Sequence, residues 1–66
     1  MPQHKRITLS RAENLIRTLQ DRHEINGGIA DLLRMLVIID HTLVKHEHTD
    51  IARRLRQAFD KVEDDL

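Results

Sequence analysis

The side chains best equipped for chemistry in this chain are its histidines, of which His41, His46 and His48 stand close together beside Asp50. Two ligands on a helix hold one metal ion only at i, i+3 or i, i+4 spacing, so that both point the same way. His46 and Asp50 alone meet that spacing, while His41 and His48 lie two turns apart, about 10 Å along a helix. No metal centre is expected. Solvated imidazoles near a helix end, where a positive charge suits the backbone dipole, are the simpler reading. Nucleophilic chemistry fares no better: Ser10 is the only serine, Cys and Tyr are absent, and Gly27-Gly28 forms no phosphate-binding loop. The chain is not expected to be an enzyme, and no cofactor is implied.

The elements that must position any functional side chain are dominated by one block, Leu32-Leu33-Arg34-Met35-Leu36-Val37-Ile38-Ile39, in a sequence that is 33% charged. A surface helix on a small monomer needs one apolar stripe, whereas residues 35–39 put apolar side chains around the whole cylinder. With 66 residues the chain makes one domain at most, and without cysteine it has no disulfide or thiolate metal site to offset a small core. Self-association is the remaining device. A homodimer is expected, with Leu32, Leu33, Met35, Leu36, Val37, Ile39 and Leu43 in its interface. The block is far shorter than the roughly 20 residues that span a bilayer, and Arg34 and Asp40 bracket its core, so no membrane role is expected. The polar, basic start lacks the apolar stretch of a secretion signal, which makes the cytoplasm the expected compartment.

Periodicity predicts three helices, at about 11–24, 28–45 and 50–63. Ser10 and Glu13 have capping-box spacing, which would start the first helix at Arg11, and Ala12, Leu15, Ile16 and Leu19 form one narrow apolar face. Asn26-Gly27-Gly28 would end it and open the second, with Asn26 as a left-handed C′ residue or an N-cap. Between Lys45 and Asp50 the chain is polar but has no Gly or Pro. A third helix capped by Thr49 or Asp50 and one long rod both remain open, and a phase slip between the stripes favours the break. The third stripe is Ile51, Leu55, Ala58, Phe59, Val62 and Leu66, with fraying expected after about Glu63. The expected architecture is an all-α, intertwined homodimer of one 66-residue domain whose residues 1–9 form a basic arm. A short strand at Ile7-Thr8-Leu9, with Ile7 and Leu9 inward, is an open option.

Formal net charge is zero, which argues against coating nucleic acid by bulk electrostatics, but the charge is unevenly placed. Lys5, Arg6 and Arg11 stand near the start without an acid, while Asp60, Glu63, Asp64 and Asp65 crowd the end. The basic end reads as a nucleic-acid arm, a solvated terminus or a partner for the acidic tail. The run Lys5-Arg6-Ile7-Thr8-Leu9-Ser10, followed by a helix, a glycine-containing turn and a more apolar helix, resembles the ribbon-helix-helix family of repressors and antitoxins over residues 4–45. In that family two chains pair their N-terminal strands into a ribbon that enters the major groove. The resemblance implies that Arg6 and Thr8 face DNA with His4 or Ser10 beside them and Lys5 nearby. It also implies that Asn26 caps the second helix, whose amides at Gly27 and Gly28 hold a phosphate. A sequence-specific DNA-binding regulator is the leading expectation, and a small helical adaptor or inhibitor that blocks a larger protein is its rival.

Overall fold

The structure is a computed structural model in which residues 4–66 are described. It contains three helices, α1 (Leu9–Asp21), α2 (Gly27–Lys45) and α3 (Thr49–Asp64), and no strand among the described residues. Helix α2 packs against both others. The helix α1 buries Ala12, Leu15, Ile16 and Leu19, the face its spacing dictates. Its start differs from expectation: Thr8, not Ser10, is the N-cap, with its Oγ1 accepting from the Arg11 amide at 3.2 Å. The reason lies on either side. Ile7 is drawn into the core at 1% exposure, which makes the chain turn at Thr8, and the Glu13 carboxylate is taken by Arg34 at 2.8 Å rather than by the cap.

Both interhelical turns are closed by the same backbone device. After α1, His23 adopts φ 58°, its amide donates to the Gln20 carbonyl, and the Glu24 amide donates to that of Leu19. After α2, Glu47 adopts φ 64°, with Glu47 and His48 donating to the Val44 and Leu43 carbonyls. These are Schellman ends built on residues with a Cβ, although glycine is the usual occupant. The glycines instead sit just inside α2, behind Asn26, whose Oδ1 accepts from the Ile29 amide at 2.9 Å. Asn26 is therefore an N-cap and not the end of α1. The break after Lys45 also puts His46 and Asp50 on opposite sides of a turn, so their i, i+4 spacing never shares a helix.

The core gathers Ile7, Leu15, Leu19 and Phe59, with Ile25, Leu33, Leu36, Val37 and Leu55 packed against it. Leu33, Leu36 and Val37, expected in a dimer interface, thus serve the chain's own core. The apolar cylinder of α2 is split: that half faces inward, while Leu32, Met35, Ile38 and Ile39 face out. Leu43 is half-buried. On α3 the inward positions are Ala52 and Phe59 with half-buried Leu55 and Arg56, leaving Ile51, Ala58 and Val62 of the expected stripe exposed. No helix among the described residues is long and apolar enough to cross a membrane.

Candidate interaction surfaces and the clasp beneath the arm

Asp40 follows an apolar run directly and is completely buried, at 0% exposure. A carboxylate there survives only with a full set of donors. Arg56 supplies two, Nε to Oδ1 at 2.7 Å and Nη2 to Oδ2 at 2.9 Å, in the forked geometry that suits guanidinium and carboxylate planes. The Ile7 amide supplies a third at 3.3 Å. Arg56 also reaches the His4 carbonyl through Nη1 at 3.4 Å. The buried pair therefore holds α2 to α3 and holds the N-terminal segment to both.

A second cation completes the clasp. Arg11 donates through Nη1 to the Lys5 and Arg6 carbonyls at 3.1 and 3.0 Å, through Nη2 to Asp60 at 2.9 Å, and to Glu63. Its guanidinium lies over the Phe59 ring, 5.0 Å from the centroid. The His4 Nδ1 lies 2.7 Å from Asp60 Oδ2. The hydrogen bond from His4, with help from Arg11, holds the Asp60 carboxyl below the usual carboxylate range. Hydrogen bonding to Glu63 and Asp60 likewise raises the pKa of Arg11. Of the basic start, Arg11 is thus a partner for the acidic end, one of the readings the charge asymmetry allows, while Lys5 and Arg6 stay exposed. The Arg22 guanidinium extends the pattern to the Leu66 carbonyl at 3.3 Å.

The residues expected to touch DNA fall into two places. Lys5, Arg6 and Ser10 are exposed, His4 is half-buried on Asp60, and Thr8 is spent as a helix cap; residues 1–3 of the arm lie outside the described residues. Leu9, read as inward, is 56% exposed as the first residue of α1. Gly27 and Gly28 open α2 about 20 Å along the helix from Asp40, to which the arm is bonded. One chain does not bring the two groups together. Among the described residues no three His, Cys, Asp or Glu side chains form a metal-holding group.

Sequence reasoning missed Asp40, Arg56 and the roles of Asp60 and Glu63 as clasp residues. A signal existed: a lone acid closing an apolar run, and an arginine between Leu55 and Phe59 on the third helix. It also left Ile38 out of the expected interface, although that side chain is 56% exposed on the outward half of α2, where Leu32 is 67% exposed. Comparison with known protein families, curated proteins and solved structures finds no match to the chain.

Proposed function

We propose that this chain is a small non-catalytic regulator that acts by binding a larger protein through the outer row of α3. The observation that carries this reading is the rotation of that helix. Because Arg56 occupies an inward position to meet Asp40, Ile51, Ala58 and Val62 are displaced into solvent instead of being buried. Exposed apolar side chains at helical spacing suit contact with another protein surface. The arm that suggested DNA has its His4 engaged by Asp60, and the basic group next to it on α1, Arg11, is engaged by Asp60 and Glu63. A ribbon with a second chain would moreover need the backbone of this segment, whose Ile7 amide already donates to Asp40.

The DNA reading keeps one observation in its favour. The Lys5 and Arg6 side chains are exposed on a segment whose carbonyls Arg11 holds, so two cations are presented from ordered backbone. Site-specific photo-cross-linking separates the two. A photoreactive residue at Ile51 or Val62 is expected to capture one larger protein in cells, while the same group at exposed Gln57 captures none. Duplex retention that falls steeply with salt and disappears in the Lys5→Ala, Arg6→Ala double variant, with no protein adduct from α3, would reverse the preference.

A further inference from the structure

The outward row of α2 is a different surface, and its pattern specifies its occupant. Leu32, Met35, Ile38 and Ile39 lie within about 120° of the helix circumference and are all substantially exposed. Charge flanks this apolar centre asymmetrically. At the N-terminal end stands Asp31, its side chain 78% exposed while one oxygen bonds Arg34. At the C-terminal end stand Lys45 and His46, both exposed, with exposed Glu47 in the turn beyond the helix. A helix face with an acid near one end, a lysine at the other and apolar residues between is complementary to itself after a half turn.

We propose that this row is the seat of a second copy of the chain, its α2 packed antiparallel about a two-fold axis between Ile38 and Ile39. In that register each Ile38 meets Ile39 of the second copy and each Met35 meets Thr42. Asp31 comes opposite His46, with Lys45 beside it. The backbone dipoles agree with the side chains, since each positive N-terminus lies against a negative C-terminus. Parallel packing would set acid against acid, base against base and like dipole ends together. A different apolar protein would cover the row equally well but would have no reason to match both ends. The assembly is independent of what α3 binds, because its residues and its test are separate from Ile51 and Val62.

The absence of cysteine makes the register directly measurable. In light scattering the chain is expected at twice 7.8 kDa across a wide range of loading concentrations, and a monomer mass throughout would overturn the proposal. Under mild oxidation Ile39→Cys, close to the axis, is expected to cross-link to its own copy. Met35→Cys alone is not, because the two positions would lie about 10 Å apart along the helices, beyond disulfide reach. Mixed with Thr42→Cys chains, however, it is expected to give the heterodimer. Self-cross-linking of Met35→Cys with no mixed product would overturn the antiparallel register. Asp31→Lys is expected to weaken the dimer a few-fold and adding Lys45→Asp in the same chain to restore it. Failure of restoration counts against the proposal. Ile38→Lys is expected to weaken association by about 100-fold, and an unchanged dissociation constant on dilution of that variant would exclude the interface.

Discussion

Ile39 and Asp40 are adjacent on α2, and burial treats them in reverse of their chemistry: the isoleucine is 42% exposed and the aspartate 0%. The difference is one of partners. Asp40 finds Arg56 and the Ile7 amide within its own chain, so its charge is satisfied inside. Ile39 and its neighbours face away from α1 and α3, so the described residues leave them substantially exposed. A buried charge that costs desolvation energy repays it in register, fixing how α3 and the arm sit on α2. An exposed apolar row gives the isolated chain nothing and points outward, to assembly.

The sharpest way to break the inner half of that contrast is to strand the charge. Arg56→Ala leaves Asp40 buried and unpaired and is expected to cost about 3–5 kcal/mol in urea denaturation. Asp40→Leu combined with Arg56→Met should recover most of this, but not all. The Ile7 amide is then left without an acceptor, a loss of about 1–3 kcal/mol, and the size of the shortfall measures how much the arm depends on Asp40. Ile7→Ala empties the core beneath the arm and is expected to cost about 2–5 kcal/mol by the same measurement.

The turns offer changes of opposite sign. Glu47→Gly and His23→Gly remove the Cβ from left-handed backbone and are each expected to stabilise by about 1 kcal/mol, seen as a higher denaturation midpoint. Gly27→Ala, with open space around the new methyl, should add about 0.4–1 kcal/mol. The smallest effect concerns pH. Because the folded-state pKa of Asp60 is depressed, its contribution is present above the ordinary carboxylate range and is lost as pH falls below about 4. For a solvent-screened pair that loss is within about 1 kcal/mol. Asp60→Asn is expected to flatten the acid limb of the stability curve, and an unchanged limb would show that its contacts with His4 and Arg11 contribute nothing to acid stability.

What was legible in the sequence is what local periodicity controls. The face of α1, the Asn26 cap and the break before α3 follow from spacing and from side chains that bond their own neighbours. The start of α1 was misplaced because Ser10 and Thr8 are both able caps and the choice is made by Ile7, a residue whose burial depends on α2. The α3 stripe was right at Leu55 and Phe59 and wrong in phase elsewhere for a similar reason. Its rotation is set by Arg56 reaching Asp40, sixteen positions away in sequence, and no window along α3 contains that partner. The apolar block of α2 gave its own surplus correctly, but which half would be covered depended on where α1 and α3 came to rest.

The clasp also carries an order in time. Asp40 and Arg56 are separated by 16 positions, whereas Ile7 to Asp40 spans 33 and His4 to Asp60 spans 56. Short loops close with less entropy loss, so the α2–α3 hairpin and its ion pair are expected to form first and the arm to dock last. Until it docks, one acceptor position on the Asp40 carboxylate stands open to water. Native-state hydrogen exchange gives that interval a reporter in the amide of Ile7. It should exchange through an opening shallower than the one that exposes the amides of α2, making the arm the first part of the molecule to leave and the last to arrive.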